Sequence, residues 1–274
     1  MNNLSPWLSR SLLLAFCFLA SPDRASASNA AVGELTYRAY YGGLSAVEID
    51  ARLGLTDKTY ELSTSGRSIG FLDFLFPFQS TVTGRGGTAK DRGFRHFTVE
   101  STYKGKMLEI TGLTGTNTAP VWTVIPLIPT DERDPVPLNL RTKALDPIAA
   151  LFAAATSSTA LEACSGTLQI FNGKVRTDVH LTHIGKEDIL TSRFSIFSGA
   201  ADKCEARYKV LAGGYKKSWF GNDRPSPVIQ FWIARIDGAT FWVPVRMEAK
   251  TEFAKVLVHL TAATISPDRS IKQR

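Results

Sequence analysis

The chain has 274 residues, 44% of them hydrophobic and 21% charged, with a net charge of +7. That composition excludes a disordered, collagen-like or coiled-coil chain, and the length suits one large β domain or two small ones. The positive balance either favours acidic surfaces such as lipid head groups and anionic polymers or serves solubility alone.

Arg10 precedes an uncharged run from Ser11 to Ala20, Ser21-Pro22-Asp23-Arg24 breaks it, and Ala25-Ser26-Ala27 follows. A basic end, a short apolar run and small residues in an A-x-A pattern predict a cleaved secretory signal over residues 1–27. The expected product is a periplasmic protein, with residues 28–274 forming a single β-rich domain. The run is too short to span a bilayer, which needs roughly 20 residues, and no later segment predicts a transmembrane span. Removing residues 1–27 takes away Arg10, Asp23 and Arg24 and leaves +6. Cys17 lies inside the signal, and Phe16 before it does not suit lipidation. Cys164 and Cys204 remain, an even count in an oxidising compartment, and predict one structural disulfide. A redox or metal pair is the alternative, but there is no C-x-x-C and no histidine or carboxylate cluster beside either cysteine.

Strand-like runs follow over 34–41, 45–55 and 59–66, separated by Gly42-Gly43 and Thr56-Asp57-Lys58. Residues 79–84, 94–103 and 107–112 continue the pattern, with a turn at Lys104-Gly105-Lys106. One segment departs from it. Gly70 to Phe78 holds four phenylalanines and two leucines, with Phe71, Phe74, Leu75 and Phe78 at helical spacing and Pro77 ending any helix. A short helical turn plugging the sheet is expected there.

Pro126 to Pro137 carries four prolines and reads as an extended linker between two β halves. A helix is predicted over 147–156: Asp146 suits the N-cap, Pro147 the first position, and Ile148, Leu151, Phe152 and Ala155 form an apolar stripe. Asn172-Gly173 and Asp237-Gly238 predict hairpins with primed turns. Around them, residues 168–171, 175–184, 189–197, 206–211, 228–236, 241–250 and 254–262 read as strands. Phe241, Val243, Val245 and Met247 alternate with Trp242, Pro244, Arg246 and Glu248, and the last strand places Ala254, Val256, Val258, Leu260 and Ala262 on one face. Period-2 alternation with repeated hairpins predicts an all-β fold: a strongly curved antiparallel meander or open barrel with one short helix and a hydrophobic plug segment.

Four stretches together resemble a known family. They are A-L-D-P-I-A-A-L-F at 144–152, F-N-G-K-V-R at 171–176, the Cys204–Gly214 strand running into L-A-G-G-Y, and Asp237-Gly238 followed by Pro244-Val245-Arg246. The chain resembles the exported proteobacterial proteins of the domain of unknown function 3108 family over roughly residues 33–265. The resemblance implies an all-β periplasmic protein and brings no activity, cofactor or catalytic residue.

Catalytic signals are weak. His180 and His183 are an odd number apart, so on a strand they point to opposite faces and cannot share an ion. His96 and His259 stand alone among strand residues. Ser65-Gly66 and Ser198-Gly199 lack the nucleophile-elbow pattern and its α/β context. Glu187-Asp188 and Asp131-Glu132 fall in turns or the linker, and Gly84-Arg85-Gly86-Gly87 lacks the strand-to-helix context of a phosphate loop. No enzyme, cofactor or metal is therefore expected, and an exported chain gives no reason to expect nucleic acid. Tyr215, Lys216, Lys217 and Trp219 mix rings with cations and are a candidate surface contact, or simply alternate core and solvated positions. Phe71, Phe74, Leu75, Phe76 and Phe78 are candidate contacts for an apolar ligand at a cavity mouth, or plain core. The expected function is cell-envelope upkeep by binding an apolar or amphiphilic component such as a lipid. The alternatives are a structural or partner-binding module with a filled core and, with least support, a hydrolase.

Overall fold

The computed structural model describes residues 31–56, 58–87, 94–115, 119–216, 228–251 and 254–267. The segment read as a signal, 1–27, lies outside them, as do Lys217 and Trp219. The elements in chain order are β1 (Ala31–Tyr41), β2 (Leu44–Leu55), β3 (Thr59–Ser68), α1 (Phe71–Leu75), β4 (Phe78–Gly87), β5 (Arg95–Tyr103), β6 (Lys106–Thr114) and β7 (Val121–Ile125). Then come α2 (Leu138–Arg141), α3 (Pro147–Ala155), α4 (Ala160–Ala163), β8 (Gly166–Phe171), β9 (Arg176–Ile189), β10 (Gly199–Ala212), β11 (Ile229–Ala234), β12 (Val243–Lys250) and β13 (Lys255–Pro267).

All thirteen strands form one antiparallel sheet in the order β7-β6-β5-β4-β3-β2-β1-β13-β12-β11-β10-β9-β8. Two meanders run outward from the centre, where the first and last strands pair from Ala31↔Pro267 to Tyr41↔Val256. The two β halves are therefore halves of one sheet. Gly42-Gly43 and Lys104-Gly105 make two-residue turns in which both residues have positive φ, the geometry that matches strand twist. Asn172-Gly173 does not: only Gly173 has positive φ, and the Asn172 carboxamide oxygen accepts from the Lys174 and Val175 amides.

The edges β7 and β8 are not hydrogen-bonded to one another, yet the sheet curls enough to bring them together. Trp122 on β7 meets Phe171 of β8 edge-on, ring centroids 4.9 Å apart, and Phe97 packs behind it at 5.8 Å. The proline-rich run closes the gap. Arg133 bridges to Tyr215 and donates to the Gly213 carbonyl at 2.6 Å, the Lys216 amide donates to the Glu132 carbonyl, and Val136 is buried beside Phe171 and Ala144. It is a strap rather than a free linker.

The plug is α3, not the phenylalanine segment. The Asp146 carboxylate accepts from the Ala149 amide at 2.8 Å, and Pro147 opens the helix, so the predicted N-terminus is the one that forms. Ile148 and Phe152 enter the concave side beside Leu35, Leu53, Leu62, Phe97, Ile110, Val243 and Leu260. Phe152 stacks on Tyr60 at 4.2 Å. Gly84 on β4 makes room, because a Cβ there would lie 2.4 Å from Ile148.

Other expectations need correction. The helices number four among the described residues rather than one, all short. Residues 190–198 form no strand of the sheet but a turn whose Ile196 amide donates to the Leu260 carbonyl. A register shift opposite Thr36 and Tyr37 leaves Thr261 unpaired in the β1–β13 ladder. The alternation of β13 slips there, so Leu260 is followed in the core by Ala263 and Ile265 instead of Ala262. The disulfide forms as expected: Cys164 after α4 and Cys204 inside β10 have Cα atoms 5.7 Å apart and are fully buried with Ala160, Ala163 and Ile233.

Candidate functional site

The connection from β3 to β4 is a helical turn with its faces reversed. Phe71, Phe74 and Leu75 sit at i, i+3 and i+4 and share a face, and that face is in water: Phe74 is 84% exposed and Phe71 64%. Phe76 follows, also exposed, while Phe78 is half buried as β4 begins. The polar side chain of the turn, itself exposed, bonds back to the end of β3. Asp73 accepts a 2.6 Å hydrogen bond from the hydroxyl of buried Ser68, whose oxygen also accepts from the Phe78 amide at 2.9 Å. One serine thus staples both ends of the loop. Gly70, at φ 62°, approaches the Ser45 carbonyl so closely that a Cβ would sit 3.3 Å from it, and the Ile69 amide donates to Ala46. Polar bonds, not apolar burial, hold the phenylalanines where they are. These exposures exclude the plain-core reading for Phe71, Phe74 and Phe76.

Antiparallel pairing puts the turns β1–β2, β3–β4, β5–β6 and β12–β13 on the same rim. Leu44, Tyr103 and Met107 are exposed there. The Lys104 amide donates to the Pro77 carbonyl, and its ammonium lies 4.6 Å from the Phe76 ring centre. Lys106 and Lys250 are exposed on the same rim, and Lys255 pairs with Glu248. Asp73, already bonded, is the single carboxylate among the described residues of these turns.

The other sequence candidates do not converge on this rim site. Tyr215 lies under the Arg133 guanidinium, 3.4 Å from ring centre to cation, and Lys216 pairs with Asp134 at 2.8 Å. Both serve the strap, which gives them a structural role. His180 meets Thr167 on β8 and His183 meets Asp202 on β10. Among the described residues no group of three histidine, cysteine or carboxylate side chains could hold a metal ion. A groove of about 570 Å³ at the opposite rim is lined by Leu55, Thr56, Tyr60, Arg85 and Phe94 and includes none of the phenylalanines of the turn.

A charged band also crosses the sheet. Cross-strand pairs run Arg67–Glu48–Arg38–His259–Arg246–Trp232–Lys203 over seven strands. Hydrogen bonds from Arg38 and then Arg67 hold the Glu48 carboxyl below its usual range, and Lys203 does the same for Glu187. Burial, then Arg246, lowers the His259 pKa. Every carboxylate of this band has a cationic partner, so it reads as a stabilising ladder.

A model of the family described as "Protein of unknown function (DUF3108)" matches residues 36–261. The chain belongs to the DUF3108 family. Its fold is similar to that of a β-barrel-like protein of the DUF1849 family from Brucella abortus, with a TM-score of 0.50 at 10% identity, covering 86% of this chain and 98% of that one. A "putative lipoprotein" from Parabacteroides distasonis aligns at TM-score 0.28 and 9% identity, over 87% and 96% of the two chains. No match is found among curated proteins.

For this DUF3108 chain, sequence periodicity found the apolar stripe of α1 and missed what orients it. Spacing groups Phe71, Phe74 and Leu75 on a face but is silent on which way the face looks. The one available signal was Asp73, a carboxylate amid six large apolar residues, which needed a buried partner or solvent. Leu44, Met107 and the rim lysines carried no local signal, because only strand pairing brings them beside α1.

Proposed function

We propose that this chain is a non-enzymatic exported protein of the cell envelope that meets an amphiphilic envelope component through the outward face of α1. The single observation behind this reading is the reversed turn. Four large apolar side chains are held in water by a partly buried Ser68–Asp73 bond, and exposed apolar clusters of this kind mark contact sites. The packing of α3 into the concave side of the sheet supports contact at the surface over carriage of a ligand inside. The buried disulfide fits an oxidising compartment.

The experiment is extraction and mass spectrometry of amphiphiles co-purifying with the chain from its own envelope, with Phe74→Asp as the comparison. An exposed position should accept the charge, so the variant should keep the native circular dichroism while losing the amphiphile. An unchanged amphiphile content in the folded variant would refute the assignment of α1. Full-length, uncleaved protein in the cytoplasmic fraction would refute export.

A further inference from the structure

Building on the reading of α1 as an amphiphile contact, we infer that its partner is the head-group surface of an anionic bilayer, into which Phe71, Phe74 and Phe76 insert as a shallow anchor. Three features of the rim carry this. First, the anchor is preorganised. The Ser68 hydroxyl bonds Asp73 and Phe78, so the rings need not be ordered on binding, which lowers the entropic cost of docking. Second, the apolar surface is a ridge rather than a groove. Phe74 protrudes at 84% exposure, with Leu44, Phe71 and Met107 at 63–65% beside it. A ridge has no walls to hold one soluble molecule, but it suits a soft, laterally continuous phase. Third, the charges complement an anionic surface. Lys104, Lys106 and Lys250 are exposed on this rim, where they outnumber Asp73, itself exposed and hydrogen-bonded to Ser68. The Lys104 ammonium lies against the Phe76 ring. Aromatic bodies with adjacent lysine heads are the side-chain set of a membrane interface: rings at the acyl boundary and ammonium groups among phosphates. Each lysine near an anionic leaflet adds attraction that salt screens.

The geometry fixes the orientation. The turns of this rim project along the strands, so docking leaves the opposite rim, with its Tyr60–Phe94 groove, facing away from the membrane.

The test is flotation of the chain, purified as it accumulates in cells, with vesicles of phosphatidylglycerol and phosphatidylethanolamine or of phosphatidylcholine alone. The expected result is binding to the anionic vesicles, weaker binding to phosphatidylcholine, and release at high salt. Each of Phe71→Ser and Phe74→Ser should weaken binding by about tenfold, on the scale of one exposed ring buried. Lys104→Glu with Lys106→Glu should abolish the preference for anionic lipid. Phe94→Ser, an exposed ring at the opposite rim, serves as the control and should leave binding unchanged. No vesicle binding by the wild-type chain, or binding indifferent to both phenylalanine variants, overturns the inference. A single amphiphile that co-purifies in a Phe74-dependent way without vesicle binding would sink the bilayer anchor and leave the broader reading in place. Phe74-dependent self-association in sedimentation, with neither amphiphile nor vesicle bound, would sink both in favour of a second copy of the chain.

Discussion

At the residue scale, Ser68 decides how α1 is presented. Its hydroxyl is buried, donates to Asp73 and accepts from the Phe78 amide. Ser68→Ala leaves both partners short of a bond, at an expected cost of about 1–3 kcal/mol. Chemical denaturation should read that loss, and limited proteolysis should then cut near Phe74 faster. His259 gives a pH-dependent counterpart. It faces Arg246 on β12 and Arg38 on β1, with Glu248 nearby, the Tyr40 ring edge-on and the Phe194 ring stacked on it. Burial, then Arg246, depresses its pKa in the folded state. The unfolded chain therefore binds this proton more readily. The stabilisation is present above the ordinary histidine value of about 6.5 and is lost as pH falls through it toward the folded value. Urea midpoints measured between pH 7.5 and 5 should fall for the wild type, and His259→Gln should flatten that part of the slope. An identical slope in the variant would rule this histidine out as the cause.

At the element scale, α3 shows how a helix comes to fill a sheet. Its local sequence is sufficient to start it, through Asp146 and Pro147, but its nine residues are too few to be stable alone in water. The concave face of the sheet supplies the rest by burying Ile148 and Phe152. Gly84 and Ile148 occupy one space from opposite sides. Gly84→Ala should therefore cost about 1–3 kcal/mol by overpacking, and Ile148→Ala about 2–5 kcal/mol by leaving a cavity. The double variant should be more stable than the sum of the two losses implies, since the added methyl enters the vacated space. Strict additivity in a double-mutant cycle would show that α3 does not pack on β4 at this point. Helix α1 is the opposite case. None of its residues is buried, so its persistence depends on the serine staple and on Gly70.

At the scale of the whole molecule, closure depends on few contacts. The centre is the long β1–β13 pairing, while the seam between β7 and β8 is made of side chains and a strap. Amide exchange should thus be slowest near the centre of β1 and β13 and fastest along β7. Trp122→Ala should cost about 3 kcal/mol and raise exchange across β6, β7 and β8 together. If it raised exchange in β7 alone, the seam would not be a cooperative unit. The disulfide pins the end of α4 to β10 across 40 residues of sequence. Cys164→Ser or Cys204→Ser should lower stability by about 2–5 kcal/mol in denaturant titrations.

The sequence by itself determined whatever local chemistry can specify. The alternation of Phe241, Val243 and Val245, the caps of α3, the turns at Gly42-Gly43 and Lys104-Gly105 and the pairing of Cys164 with Cys204 each act within a few residues or by elimination. They were enough for an antiparallel, curved, all-β fold. Tertiary structure decided everything that depends on which surface faces which. An apolar stripe is identical in sequence whether it looks into a core or into water, so the bond from Ser68 is what holds Phe71 and Phe74 outward. A bulge needs a partner strand to define it, which is why the slip at Thr261 could not be read from β13 alone. The charged band and the lysine-rich rim exist only through register, since cross-strand pairing joins residues as distant as Arg38 and His259. Periodicity fixes which side chains share a face; the energy of the assembled sheet chooses where that face points.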